Sequence, residues 1–341
     1  MTARAAVALL GLALAGCAGN MLGRSVAVES HDYTFKDESL SFVEGTSLSD
    51  PKGDATKRPP EYTTQPVALF LEGDGSECQK YSDTGWEKFV RRFAGDYVLV
   101  RAKTFVNATC GTEKFAKFDF LSRLDELGVL LTEIKKTHEK QPIVLIGHSA
   151  GATLAVMYAN AHPGEIAGLV NLGGGLDPLE RVIKQAEREK GLDPESLRES
   201  EGTIDAAIET AKGGGNPDKA MWGRTEKFWG QMFSVEVKEE WLKATVPVLV
   251  VHGDADVVVP FALMAKNKRE LKRKSKTNFA FDFEHGMNHD LFNDSVFLTV
   301  NDWIKKKIID KAGGADGPAE HEPDEKEPGD AHDDAKAGPE R

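Results

Sequence analysis

The run Pro142-Ile143-Val144-Leu145-Ile146 leads without a break into Gly147-His148-Ser149-Ala150-Gly151, and Ala152 through Ala159 then has the composition of a helix. No other stretch limits the possible folds as sharply. A short β-branched run closed by glycine reads as a buried strand, and a helix starting within one tight turn of it must cross close to the strand end. Small residues permit that crossing: Gly147 and Gly151 keep Cβ atoms out of the contact, and Ala150 contributes a backbone N–H with little bulk. Ser149 is thereby pushed above the sheet instead of packing within it. Around this junction strands and helices alternate. Strands are expected at Val67–Leu71, Tyr97–Arg101, Ile143–Ile146 and Ala167–Leu172, and helices at Gly85–Phe93, Phe120–Thr137 and Ala152–Ala161. The pattern predicts the α/β class, with a mostly parallel central sheet covered by helices on both faces.

A glycine-rich pentapeptide can arise by chance, so the reading depends on the strands and loops nearer the carboxyl end. Val246–Gly253 reads as another buried strand, with the loop Asp254-Ala255-Asp256-Val257-Val258-Val259-Pro260 after it. Asn278–Phe283 reads as the last strand, followed by Glu284-His285-Gly286-Met287-Asn288-His289-Asp290 and a final helix. With these in place the chain resembles the α/β-hydrolase family, in which a serine, an acid and a histidine come in that order. The resemblance implies a serine hydrolase with Ser149 as nucleophile, Asp256 as acid and His289 as base. Asp256 matches better than Asp254 because it stands three residues past Gly253 and shortly before Val259-Pro260. His289 matches better than the runner-up His285, since a glycine and two residues precede it. Asp254, His148, His252 and His285 are then loop-shaping or supporting residues.

The chemistry needs all three residue types. A serine hydroxyl is a poor nucleophile at neutral pH, so His289 would take its proton during attack and return it to the leaving group. Asp256 would orient the imidazole and stabilise the imidazolium. The resemblance also implies an oxyanion hole formed by the backbone N–H groups of Ala150 and of Asp74, within Leu71-Glu72-Gly73-Asp74-Gly75-Ser76. The family commonly carries His-Gly in this loop, and Glu72 stands in place of the histidine. A glutamate there could brace the loop or attract a cationic substrate group.

At the amino end, Met1–Arg4 carries one positive charge, Ala5 through Ala15 is apolar, and Leu14-Ala15-Gly16-Cys17 resembles the lipobox of bacterial lipoproteins. A membrane span needs ~20 apolar residues, and this run is shorter. The resemblance implies a signal peptide over 1–16 and lipidation of Cys17, so that residues 17–66 form a lipidated start, a tether and early strands. Ala18 in place of aspartate points by the same resemblance to the outer membrane, facing the periplasm. In that oxidising compartment Cys78 and Cys110 are an even pair, and a disulfide is the default expectation, two unpaired cysteines being the alternative. No compact Cys/His cluster suggests a metal site, and no cofactor is expected.

The hydrolase domain is expected over residues 67–310. Residues from about 177 to 244 interrupt the alternation with charged helical sequence, which in this family is usually a lid. Trp222, Phe228, Trp229 and Phe233 could line an acyl pocket there, or simply hold the lid to the core. Residues 311–341 are an acidic, Pro- and Gly-rich tail without core-forming residues, and disorder is expected there. The net charge of −12 argues against nucleic-acid binding. The expected function is carboxylic ester hydrolysis on a small-molecule ester or acyl substrate at the cell envelope. A peptidase, thioesterase or acyltransferase would use the same residues, and a binding module without turnover is the non-enzymatic alternative.

Overall fold

The computed structural model describes residues 20–48, 65–73 and 83–312. The signal peptide with Cys17, the loop holding Asp74 and Cys78, and the acidic tail lie outside the described residues.

The chain begins with an antiparallel hairpin, β1 (Val26–Phe35) and β2 (Glu38–Ser47). Its two-residue turn is Lys36-Asp37, both at positive φ (47° and 63°), the backbone whose twist matches paired strands. Alternating strands come next: β3 (Val67–Leu71), β4 (Val98–Lys103), β5 (Ile143–His148), β6 (Gly168–Leu172), the two-residue β7 (Ala220–Met221) and β8 (Arg224–Thr225), then β9 (Val248–Gly253) and β10 (Phe279–Glu284). Eight of them form one sheet in the order β1-β2-β4-β3-β5-β6-β9-β10. Within it the β1–β2 and β2–β4 pairings are antiparallel. From β4 to β10 every pairing is parallel.

Parallel strands covered on both faces must be apolar throughout, and Val67 through Phe70, Ile143 through Ile146 and Val248 through Val251 are all buried. Helices complete each crossover: α1 (Asp83–Phe93), the short α2 (Phe105–Ala108) and α3 (Glu113–Lys117), α4 (Ser122–Thr137) and α5 (Ala150–Ala161). In α4, Leu127, Leu130, Leu131 and Ile134 repeat at helical spacing and lie in the core. One core layer joins α4, α5 and the face of β3, β5 and β9 that carries Leu69, Leu145 and Val250. The other packs Trp86, Val90 and Phe93 of α1 with Phe297, Val300 and Trp303 of the last helix. Truncating a core residue such as Leu145 to alanine is expected to cost about 2–5 kcal/mol.

Between β6 and β9 the chain runs through α6 (Leu179–Arg188), α7 (Pro194–Lys212), α8 (Glu226–Ser234) and α9 (Val237–Lys243). The expected lid segment is therefore helical, but its parts differ in attachment. Val237 and Trp241 of α9 are buried in the main core, as is Phe228 of α8, which meets Phe120 edge to face. Phe233 packs with Ile204, Ile208 and Ala211 of α7 in a small separate core, with Trp229 against it. Trp222 is exposed, at positive φ, with its ring edge-on to Trp229. Three of the four aromatics thus tie the insertion together and to the sheet layer. After β9 come α10 (Phe261–Arg273) and α11 (Asp294–Ile304), the latter continued by a π-helical stretch, Lys305–Ile309.

Candidate active site

β5 lies between β3 and β6, where the strand order reverses and two crossovers diverge to leave a crevice at the strand ends. Ser149 occupies that point at φ 53° and ψ −123°, a backbone region that side chains rarely adopt. Its N–H donates to the Leu172 carbonyl at 2.9 Å, and its own carbonyl accepts from the Ala152 N–H at 3.0 Å. The strain is held in place by three glycines. A Cβ on Gly147 would stand 2.4 Å from Ala152 Cα, and one on Gly151 would stand 2.3 Å from the Leu71 carbonyl oxygen. A Cβ on Gly73 would meet the Ser149 Cβ at 2.9 Å. Ala150 opens α5, so its N–H is among the first-turn donors that have no acceptor within the helix. Those donors and the helix dipole favour negative charge at this spot.

Asp256 and His289 come together as the sequence leads one to expect. The His289 Nδ1–H donates to Asp256 Oδ2 at 2.8 Å. Asp256 Oδ1 accepts from the N–H groups of Val258 and Val259 at 2.8 and 2.9 Å, which fixes the carboxylate plane. Burial pulls the Asp256 pKa up, but the bond and charge of His289, the Val259 N–H and the nearby His252 outweigh it, and the group stays below the usual carboxylate value. Asp254 and His285 form a second pair at 2.7 Å. The two pairs are alike in distance and differ in location. The His285 side chain is 98% exposed, whereas His289 borders the bend after β6. In that bend a Cβ on Gly173 would stand 3.4 Å from His289 Nδ1, and one on Gly174 would stand 2.8 Å from the Ser149 carbonyl oxygen. Asn171 ties the bend down, accepting from the Gly174 N–H at 2.7 Å and donating to its carbonyl at 3.1 Å.

Two other histidines support the site. His148 Nε2 donates to the His289 carbonyl at 3.0 Å, and burial is the main cause that lowers its pKa to about 4, so it stays neutral at neutral pH. His252 Nε2 donates to the Val259 carbonyl at 2.9 Å, and burial lowers its pKa as well. Glu72 braces instead of recruiting: its Oε1 accepts from Arg101 Nε at 2.8 Å and its carbonyl from Arg123 at 2.7 Å. Arg101, Arg123 and Asn171 are supporting residues that sequence reading misses. Only Asn171, two residues ahead of Gly173-Gly174, carries a local signal. Among the described residues, Glu29, His31 and Glu44 have ligand atoms within 4.8 Å of one another, a spacing that could hold a metal ion. They lie on the β1–β2 hairpin, separated from β5 by β4 and β3, and Glu44 already meets His138 Nε2 at 2.9 Å.

A family profile described as serine aminopeptidase, S33, matches residues 116–192, the stretch from the end of α3 through Ser149 to just past α6. Over 274 residues the chain is 24% identical to monoglyceride lipase of Homo sapiens, a match covering 76% of this chain and 88% of that protein. Among solved structures, Est1E of Butyrivibrio proteoclasticus superposes with a TM-score of 0.52 at 15% identity, covering 82% of this chain and 99% of the other. The esterase Pf2001 of Pyrococcus furiosus gives a TM-score of 0.50 at 14% identity, covering 82% and 90%. The fold is that of the α/β-hydrolases. The profile and the lipase match support an enzyme similar to serine hydrolases of the esterase and lipase type.

Proposed function

We propose that the chain hydrolyses carboxylic esters through an acyl-enzyme on Ser149. The observation that carries this reading is the strained Ser149 at the start of α5, beside a bend that also contacts the Asp256–His289 pair. Ser149 Oγ attacks the ester carbonyl carbon while its proton passes to His289 Nε2. Asp256 holds the imidazole with its proton on Nδ1 and stabilises the imidazolium. The N–H groups of Ala150 and Asp74 receive the developing oxyanion. Collapse expels the alcohol, which takes the proton from His289. Water then repeats the sequence and releases the acid.

The family profile favours a second reading, an aminopeptidase, which would need an anionic subsite for the substrate's free amine. Glu72 is an acidic residue beside Gly73 and Ser149, and its carboxylate is already paired with Arg101. That favours esters. A panel of p-nitrophenyl acetate, butyrate and laurate against aminoacyl p-nitroanilides tests the choice. Esters are expected to turn over at least about tenfold faster in kcat/KM, a gap of ~1.4 kcal/mol in transition-state binding. Faster cleavage of the anilides would overturn it.

The helices α6 to α8 are proposed as the lid. Val182 of α6 packs with Val259 and Leu263 at the root of the acid loop, which would couple lid position to the site. A disulfide between Cys78 and Cys110 is proposed too; its support is that the Cys110 sulfur is engaged in a disulfide. Lipidation at Cys17 and an outer-membrane location rest on the sequence. Asn20, three residues on, donates to the Ala94 carbonyl at 2.7 Å, on the turn leading into β4. Ser149, Asp256 and His289 all lie beyond the other ends of the parallel strands. An anchor at Cys17 would therefore place the site on the rim away from its own bilayer, open to substrate from the aqueous side.

A further inference from the structure

Glu72 occupies the place where the α/β-hydrolase resemblance leads one to expect a histidine, and both of its ends are held by arginines from separate elements. Arg101 comes from β4 and is buried. Its guanidinium lies between the rings of Trp86 and Phe89 of α1, 4.2 and 4.1 Å from their centroids, and pairs with the Glu72 carboxylate. Arg123 comes from the first turn of α4 and donates to the Glu72 carbonyl oxygen at 2.7 Å. Asn107 of α2 adds a long contact to the second carboxylate oxygen at 3.5 Å.

The held segment touches the nucleophile. The Glu72 carbonyl oxygen is 2.7 Å from where a Gly151 Cβ would lie, so the stem of the loop rests on the first turn of α5. Gly73 is pressed against the Ser149 Cβ in the same way. The carbonyl that Arg123 holds belongs to the peptide joining Glu72 to Gly73, one residue before the backbone that is to supply the second oxyanion donor. A buried ion pair between β4 and the end of β3 is weak evidence for stability, because desolvation cancels most of the attraction. Its value lies in fixing a geometry.

We propose that Arg101 and Arg123 are positioning residues that hold the Glu72–Gly73 stem against Ser149 and the first turn of α5, by the side chain and the carbonyl of Glu72. The effect on rate rests on the ester-hydrolase reading; the effect on the loop does not. An oxyanion donor must sit within a few tenths of an ångström of the developing charge, and losing one costs about 10²–10³ in kcat. A donor that is displaced but not lost should cost less. The test compares Arg123→Met, Arg123→Lys and the double variant Glu72→Met/Arg101→Met. Each is measured by p-nitrophenyl butyrate kinetics, by amide hydrogen exchange of the peptide spanning residues 71–77, and by thermal unfolding.

Arg123→Met is expected to lower kcat about 10–100-fold with KM within about threefold, and to speed exchange in that peptide. Arg123→Lys keeps a donor and recovers part of the rate. The double variant removes both charges together, so its unfolding temperature stays near the parent's while kcat remains low. A purely structural ion pair would instead return full kcat once stability is restored. Unchanged kcat and unchanged loop exchange in Arg123→Met and in the double variant would overturn the proposal. If the parent chain hydrolyses no ester, the ester-hydrolase reading fails, and loop exchange alone decides whether the clamp exists.

Discussion

Replacing Asp256 with asparagine should disable the enzyme through a single proton. Asp256 Oδ1 accepts from two backbone N–H groups, Val258 at 2.8 Å and Val259 at 2.9 Å. An amide at this position must keep its carbonyl oxygen there, because an NH₂ group would face two donors. The NH₂ group is then forced to the place of Oδ2, 2.8 Å from His289 Nδ1. It donates to Nδ1, so the imidazole proton moves to Nε2, and the nitrogen that should accept the Ser149 proton no longer can. Loss of the correct tautomer in serine triads costs about 10⁴ in kcat, or ~5.5 kcal/mol at 1.36 kcal/mol per tenfold. Steady-state hydrolysis of p-nitrophenyl butyrate at neutral pH measures it, with the unfolding temperature as control for folding. Retention of kcat within tenfold of the parent would refute the assignment and move attention to Asp254.

The same geometry has other consequences. Ser149→Gly should raise stability by about 1–3 kcal/mol in urea unfolding while abolishing turnover, since glycine adopts φ 53° without strain. Gly73→Ala should cut kcat more than a hundredfold with only a modest loss of stability, because its Cβ meets Ser149 at 2.9 Å and not the core. His148, held near pKa 4 mainly by burial, and His252, lowered for the same reason, give a defined acid response. Between pH ~6.5 and ~4 the unfolded chain binds protons at these histidines that the folded chain does not, so stability must fall as pH drops through that window. Urea midpoints at pH 7.5 and 5 test the sign, and His148→Asn should reduce the difference. Labelling with a palmitate analogue in cells should mark the parent chain and not Cys17→Ala.

The strands and helix around Ser149 are the legible part of the sequence. The boundaries of β3 agree with the sequence reading at both ends, and β5, α5, β6 and β9 agree to within a few residues, because continuous apolar runs punctuated by glycine admit few alternatives. The choice of Asp256 over Asp254 rests on spacing from Gly253 and Val259-Pro260, and in the folded chain both carboxylates find a histidine, the two pairs differing in exposure. Residues 26–47 leave strands and tether open, as the outward face of β1 is polar and its pairing is resolved only by β2 and β4. The segment after β4 reads as loop, yet α2 and α3 form there, short turns headed by Thr104 and Thr112 with too few residues to show a period. α10 is hidden in the sequence because Lys266, Lys268, Arg269, Lys272 and Arg273 crowd a helix whose apolar face is only Leu263, Met264 and Leu271. The segment expected as a lid runs to about residue 244, and its last helix, α9, buries Trp241 in the main core. The pairing of Glu72 with Arg101 spans 29 residues and carries no local signature.

If Ser149 is an activated nucleophile, covalent trapping will find it. Incubation with a fluorophosphonate, then peptide mass spectrometry, should place a single phosphonyl adduct on Ser149. Labelling should vanish in Ser149→Ala and slow at least about a hundredfold in His289→Ala. A parent chain that stays unlabelled, or that carries the adduct on another residue, would rule Ser149 out as the nucleophile.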